Sequence, residues 1–143
     1  MATRPFFPTP QDAEVAFYEA LERADLEAMM GVWAEDEEIV CIHPGGVRLV
    51  GTAAVREAWR QIFAQARKMQ VRCSGEVRTE GLMLAVSWVM EQFSIAGETR
   101  TYPPVAATNV YHKGIDGWRM LSHHSSPVPV QQEPAEDGPR ILH

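Results

Sequence analysis

The stretch LMLAVSWVMEQFSI, residues 82–95, decides the fold. Its apolar residues fall on both faces of an extended strand: Leu84, Val86, Trp88 and Met90 on one face, and Ala85, Val89 and Phe93 on the other. A sheet open to water on one side would alternate apolar with polar residues, and this strand does not. Both of its faces are therefore expected to be covered.

The segments around this strand also have strand character. Residues 70–78, 105–112 and 118–125 are rich in β-favouring residues, and turn signals separate them at Glu80-Gly81, Ala96-Gly97 and residues 114–117. Together they predict a four-stranded antiparallel meander. An earlier run, residues 38–43, predicts one more strand, which Pro44-Gly45-Gly46 ends.

Helical patterns precede the meander. Apolar residues recur at helical spacing from Gln11 to Leu21, Asp25 is placed to cap a second short helix, and the third helix, over residues 52–66, carries apolar residues at i, i+4, i+7 and i+8. Helices followed by an antiparallel meander predict an α+β domain. Because these helices cover one face of the sheet, we expect a second copy of the chain to cover the other, in a homodimer. The alternative is a tail that overhangs that face.

The composition indicates one water-soluble domain. A chain of 143 residues, 45% of them apolar, can bury a core of its own. The net charge of −6, with no run of Lys or Arg, argues against nucleic acid and membrane surfaces as partners. Cys41 and Cys73 form no Cys-x-x-Cys pair and the start lacks a signal peptide's apolar stretch, so a reduced, cytoplasmic protein is expected. Pro-rich ends predict loose tails, residues 1–10 and 129–143, around a domain over residues 11–128.

Two longer strings carry a resemblance to a known family. The string ALERADLEAMMGVWAEDEEIVCIHPGGVRLVGTAAVREAW (residues 20–59) and the string ATNVYHKGIDGWRMLSHHSSPVP (residues 107–129) resemble nuclear transport factor 2-like proteins, in the branch of SnoaL-like and ketosteroid isomerase-like domains. The resemblance implies a cone in which three N-terminal helices wrap a curved antiparallel sheet, a cystatin-like roll. It also implies an apolar pocket inside the cone and dimerisation through the convex face of the sheet.

The resemblance suggests histidines as catalytic residues. Similar isomerases end their first strand in an Asp-Pro whose carboxylate transfers the proton, and the comparable dipeptide here is His43-Pro44. The alternative is a histidine that donates to a backbone carbonyl. His123 and His124 are adjacent on a strand, so only one of them can enter the pocket. We expect it to be His124, which shares a face with Met120 when the strand alternates regularly; a packing role is the alternative.

Candidate ligand-binding residues are aromatic or amide side chains. Similar isomerases place a Tyr on the first helix, where this chain has Phe17; Tyr18, rotated by about 100°, is expected to face elsewhere. Asn109 would anchor a ligand if it pointed inward. Trp33, Trp59 and Trp88 could stack on a flat ligand or belong to the core. Cys41 and His43 share a face, but no second spaced pair completes a metal site, so none is expected.

Two hypotheses follow. The first is a small-molecule-binding domain with an apolar pocket, a cofactor-free isomerase or lyase of unnamed substrate. The second is a non-catalytic dimerisation or assembly module whose pocket is vestigial. An open pocket with an inward His43 favours the first, and a cone filled by Trp33, Trp59 and Trp88 favours the second.

Overall fold

The computed structural model describes residues 4–36, 38–65 and 68–129. Within them lie three helices, α1 (Pro10–Arg23), α2 (Leu26–Val32) and α3 (Thr52–Ala64). The strands are β1 (Val40–Ile42), β2 (Arg48–Val50), β3 (Met69–Glu80), β4 (Leu84–Ile95), β5 (Val105–Gly114) and β6 (Gly117–Pro127). No helix in this part of the chain is both long enough and apolar enough to cross a membrane.

Side-chain caps fix where the first helices begin. The Thr9 side chain accepts a hydrogen bond from the backbone N–H of Asp12 (3.1 Å), and Pro10 stands in the first turn, where no backbone N–H is needed. Ala24, in the left-handed conformation, ends α1. The predicted cap of α2 is confirmed, because Asp25 accepts from the backbone N–H of Ala28 at 3.0 Å.

The strands form a six-stranded sheet in the order β2-β1-β6-β5-β4-β3. All neighbours are antiparallel except β1 and β6, which run parallel. The predicted α+β class and the predicted meander are confirmed. The short strand β2 was not predicted; it returns along β1 after the turn at Pro44-Gly45-Gly46.

Two irregularities in strand pairing bend the sheet. In β3 the register shifts between Ser74 and Val77, and Gly75 there has a φ of 60°. In β6 the register shifts by one residue, since Val110 pairs with Ser122 while Tyr111 pairs with Met120. Each bulge adds residues to one strand only, which curves the sheet and shifts its alternation. We call the helix-covered face of the sheet the inner face and the opposite one the outer face.

The core fills the space between the helices and the inner face. Its largest fully buried apolar side chains come from every layer of the fold: Phe17, Met29, Val32, Trp33, Ile39, Cys41, Val55, Trp59, Tyr111 and Met120. Truncating one of the large aromatic side chains to Ala would cost about 3–5 kcal/mol in lost transfer energy and cavity formation.

The N-terminal arm docks on the body from Arg4 onward, so the prediction of a loose tail over residues 1–10 is wrong for residues 4–10. Phe7 is buried, and its carbonyl accepts from the backbone N–H of Trp118 at 2.9 Å. Gly117 permits this approach, since a Cβ there would lie 2.6 Å from the Phe7 oxygen. The Arg119 guanidinium donates to the Pro5 carbonyl and lies 5.0 Å from the Phe7 ring centroid. Most of the predicted C-terminal tail, residues 130–143, lies outside the described residues.

Candidate functional site

A cavity of about 180 Å³ lies between α1, α3 and the inner face of the sheet. Its polar lining consists of His43, Glu91, His123 and Ser125, and aromatic or aliphatic side chains complete the wall: Leu21, Pro44, Trp59, Ile62, Met69 and Phe93. The cavity exceeds the roughly 150 Å³ of a cavity that binds benzene. It is therefore large enough for a small organic group.

His43 faces this cavity, as expected. Its ring meets Trp59 edge-on, with centroids 4.7 Å apart, and burial lowers its pKa. The Cys41 Sγ lies 3.5 Å from His43 Nε2, which places both side chains on one face, as the alternation predicts. Because burial raises the pKa of Cys41 to about 12, the thiol keeps its proton and can donate a hydrogen bond to the imidazole.

His123, not His124, is the second histidine of the cavity. The expectation that His124 points inward is wrong: His124 is exposed on the outer face, beside Trp88 and Thr108. The reason is the bulge at Leu121, which inserts one residue into β6 and moves the inward positions from even to odd numbers. His123 is consequently buried, 4.8 Å from the Phe17 ring.

Asn109 points inward and fixes the protonation of His123. Its Nδ2 donates to Tyr18 Oη (3.0 Å) and, at a longer 3.4 Å, to Glu14 Oε2. Its Oδ1 therefore faces His123 Nδ1, 2.6 Å away, and that nitrogen must carry the hydrogen. Burial, with the nearby His43 and His124 adding to it, lowers the pKa of His123 to about 3. The ring is neutral, and Nε2 is left as an acceptor.

Glu91 is the carboxylate of the cavity. It is only 2% exposed, and its Oε2 accepts from the Tyr18 hydroxyl at 2.6 Å. Burial raises its pKa to about 7, although the Tyr18 hydrogen bond opposes that shift. Tyr18 itself does not line the cavity, but it is buried, as Phe17 is, and its hydroxyl reaches Glu91.

A second buried carboxylate, Glu14, supports this arrangement from behind. Its Oε2 accepts from the Tyr111 hydroxyl at 2.6 Å, and its Oε1 accepts from the Ser87 hydroxyl at 2.9 Å. Arg78 forms an ion pair with Glu14 at 3.2 Å. The charge of Glu14 is thus compensated, whereas no Lys or Arg lies among the described residues that line the cavity beside Glu91.

The aromatic candidates divide between cavity, core and surface. Trp59 lines the cavity, and within the described residues its buried Nε1 has no hydrogen-bond partner. Trp33 and Phe17 are core residues that do not line it. The assignment of Trp88 to the pocket is wrong: it is 43% exposed on the outer face, because the inward residues of β4 are the odd-numbered ones, such as Val89 and Glu91.

Sequence reasoning missed Glu14, Tyr18 and Glu91. Each carboxylate interrupts an apolar face: Glu91 follows Val89 on the inner face of β4, and Glu14 precedes Phe17 on the buried side of α1. A charged residue inside an apolar face is the signal that could have found them. In the described ranges, no group of three or more His, Cys, Asp or Glu side chains is placed to hold a metal ion.

A family model described as SnoaL-like domain matches residues 11–131. The match covers most of the chain, and the protein therefore belongs to the SnoaL-like domain family. Among curated proteins, the F-box protein SKIP8 of Arabidopsis thaliana is 26% identical over 119 residues, which cover 82% of this chain and 48% of that protein. The chain thus spans about half the length of this relative.

Solved structures extend the comparison. A candidate calcium/calmodulin-dependent protein kinase type II association domain from Thiobacillus denitrificans is 44% identical, with a TM-score of 0.78 over 87% of this chain and 98% of the other. A candidate dehydratase of the NTF2-like family from Streptomyces avermitilis is 30% identical, with a TM-score of 0.75 over 81% of this chain and 91% of the other. These similarities agree with the expected nuclear transport factor 2-like cone.

Proposed function

We propose that this chain is a small-molecule-binding domain that catalyses proton transfer without a cofactor, as an isomerase or lyase. The observation that carries the proposal is the position of Glu91 and His123, which line one cavity and end one hydrogen-bonded chain through Tyr18 and Asn109. The carboxyl can exchange a proton, and the imidazole can accept a hydrogen bond. The substrate therefore has an acidic C–H bond and an oxygen function.

The roles follow from the two pKa shifts. A proton-transfer group works best when its pKa is close to the working pH, and that of Glu91 is about 7. In the proposed step, the Glu91 carboxylate takes the proton of a carbon next to a carbonyl, and the C–H electron pair forms an enolate. His123 Nε2 accepts a hydrogen bond from a substrate hydroxyl.

Isomerisation and dehydration share this first step. In an isomerisation, Glu91 returns the proton to a different carbon. In a dehydration, the enolate expels a β-hydroxyl, which leaves as water after taking the proton back from Glu91, so the carboxylate is regenerated. The 30% identity to a candidate dehydratase supports the second course.

Exchange of carbon-bound hydrogen tests the shared step without knowledge of the natural substrate. A panel of small hydroxyketones would be incubated with the protein in D₂O, and deuterium incorporation next to the carbonyl would be followed by NMR. Incorporation should fall about 10²–10⁴-fold in Glu91→Gln and stay unchanged in Glu19→Gln, which alters an exposed carboxylate of α1. Equal exchange by Glu91→Gln and the unchanged protein would contradict the proposal.

A non-catalytic assembly module is the second candidate function. The 44% identity to a candidate association domain supports it, as does the filling of the interior by Trp33 and Trp59. On this alternative, Glu91 and His123 stabilise the fold only. The protein would then not catalyse deuterium incorporation into any compound of the panel. Glu91→Gln would change the stability of the fold but not the binding of any compound.

Either function is compatible with a homodimer through the outer face of the sheet, which we propose as well. Val77 (60% exposed), Leu84 (51%) and Trp88 (43%) are exposed on β3 and β4, and Val77 pairs directly with Trp88. Neighbouring exposed apolar side chains of this size are typical of protein interfaces. A second copy would cover them symmetrically, and the similarity to an association domain supports that occupant.

A further inference from the structure

An apolar basin of about 390 Å³ lies beside the inner cavity, against the ends of β4, β5 and β6. The acid–base groups of the inner cavity, Glu91 and His123, are not among the described residues that line it. Its wall is built from hydrophobic side chains and prolines: Pro44, Phe93, Ile95, Pro103, Val105 and Pro127. A basin of this kind on a folded domain points to a ligand or partner that covers it.

The basin adjoins the inner cavity. Pro44, Met69 and Phe93 line both spaces, so a ligand that fills the cavity can extend over these side chains into the basin. The inner cavity, at about 180 Å³, holds little more than a benzene-sized group. Any larger ligand with its head group at Glu91 and His123 must therefore place the rest of its body outside, and the basin is the adjoining apolar surface.

The wall of the basin is held in place before any ligand arrives. Gln92 Nε2 donates to the Tyr102 carbonyl at 2.6 Å, which ties the β4–β5 connection to β4. The Val128 backbone N–H donates to the Pro104 carbonyl at 3.1 Å, which ties the end of β6 to the same connection. Binding to a preformed surface avoids the entropic cost of ordering it.

The charges around the inner cavity exclude an anionic head group there. Among the described residues that line the inner cavity, none is Lys or Arg, and Glu91 is the carboxylic acid. A cation lies beside the basin instead, where the Arg100 guanidinium stands 4.9 Å from the ring of Tyr102 on the basin wall. A carboxylate or phosphate on the ligand would be buried without a counter-ion and would face Glu91, which is strongly unfavourable. The head group of the ligand is consequently uncharged.

We propose that the basin binds the apolar body of an uncharged amphipathic ligand whose oxygen-bearing head group enters the inner cavity. The place of the head group rests on the proposed function; the place of the body rests on the side chains that line both spaces. The substrate class is then an alcohol or carbonyl compound with an apolar chain or ring system larger than the inner cavity.

Straight-chain primary alcohols from butanol to decanol are suitable probes, each titrated below its solubility limit and followed by NMR. The dissociation constant should fall about fourfold for each methylene that enters the basin. Decanoate, the anion of matched length, should bind at least about tenfold more weakly than decanol. If decanol binds no more tightly than butanol, the basin is not a subsite; if decanoate binds as well as decanol, the ligand is not uncharged.

Variants locate the chain of the alcohol. Ile95→Asp, and Pro103→Asp at an exposed position of the same wall, should each weaken decanol about tenfold or more and change butanol less than about twofold. Val15→Asp, on the exposed side of α1, is the matched control and should change neither. If both wall variants bind decanol as well as the control does, the proposal is overturned.

The same titrations separate this subsite from the proposed function. Glu91→Gln and His123→Gln should weaken every alcohol by a similar factor, because they alter the head group's contacts. If chain length matters but these variants bind all alcohols normally, the basin stands and the head-group assignment fails. If they weaken butanol while chain length has no effect, the basin fails and the head-group assignment stands.

Discussion

Asn109 Oδ1 lies 2.6 Å from His123 Nδ1, and this contact determines which nitrogen of the imidazole is free. Tyr18 donates its own hydrogen to Glu91, so its oxygen must accept from the Asn109 amide, and the amide oxygen is left to face His123. We expect ¹⁵N NMR of histidine to show His123 neutral at pH 6, with its hydrogen on Nδ1. Asn109→Asp should instead raise the pKa of His123, because a carboxylate favours the imidazolium.

Asn109→Leu is the companion variant, since it removes the acceptor without adding a charge. It should release the preference for the Nδ1–H form while the ring stays neutral. A single unchanged tautomer in Asn109→Leu would mean that something other than Asn109 sets the protonation of His123.

Glu14 should contribute to stability through its buried hydrogen bonds. Glu14→Gln keeps the shape of the side chain but removes its charge. Arg78 forms an ion pair with that charge, and the Tyr111 and Ser87 hydroxyls donate hydrogen bonds to it. Because Arg78 is partly exposed and can turn to water, we expect a loss of about 1–3 kcal/mol in the free energy of unfolding, less than for a fully buried pair. Glu19→Gln, exposed on the same helix, should change it by less than about 0.5 kcal/mol. Equal effects in urea denaturation would contradict the role of Glu14.

Glu91 and His123 should give stability opposite dependences on pH. The folded-state pKa of Glu91 is raised from 4.5 to about 7, so between these values the folded chain holds a proton that the unfolded chain has lost, and stability falls as pH rises. The pKa of His123 is lowered from 6.5 to about 3, so stability falls as pH drops through that window.

Variants separate the two dependences. Relative to the unchanged protein, Glu91→Gln should gain about 3 kcal/mol of unfolding free energy between pH 4.5 and pH 8. His123→Gln should lose less stability than the unchanged protein as pH falls below 6.5. Chemical denaturation across this range measures both, and a constant difference between Glu91→Gln and the unchanged protein would show that the Glu91 carboxyl is not perturbed.

Trp88 should matter for assembly and not for the fold. Trp88→Asp places a charge in the proposed dimer interface, so sedimentation should show the 16.0 kDa monomer where the unchanged chain shows twice that mass. Val15→Asp, exposed on α1, should remain dimeric. If the unchanged chain stays monomeric on concentration, the outer face does not bind a second copy.

The elements of the fold could be predicted from sequence because each has a local signal. The spacing of Val55, Trp59 and Ile62 defines the apolar face of α3. The turn residues between β3, β4, β5 and β6 lie close to the observed ends of these strands. The strand β2 is too short for a pattern. The docked N-terminal arm depends on contacts between Phe7 and Gly117, which lie far apart in the chain.

The candidate site was harder to predict because small irregularities decide which side chains meet. One extra residue at Leu121 exchanges the faces on which His123 and His124 lie, and no residue type in β6 indicates this bulge. Because both faces of β4 are apolar, the sequence does not show which of them carries Trp88. Glu91 and Tyr18 come together only when α1 packs across β4, so neither sequence segment shows the pair.

The proposed chemistry requires that a neutral imidazole and a carboxyl that titrates near neutral pH face one cavity. The most direct measurement is an NMR titration of the ¹³C-labelled Glu91 carboxyl and the ¹⁵N-labelled His123 ring, with signals assigned through Glu91→Gln and His123→Gln. We predict midpoints of about 7 for Glu91 and about 3 for His123. Midpoints close to the ordinary 4.5 for Glu91 and 6.5 for His123 would contradict it, because both groups would then be as hydrated as surface residues.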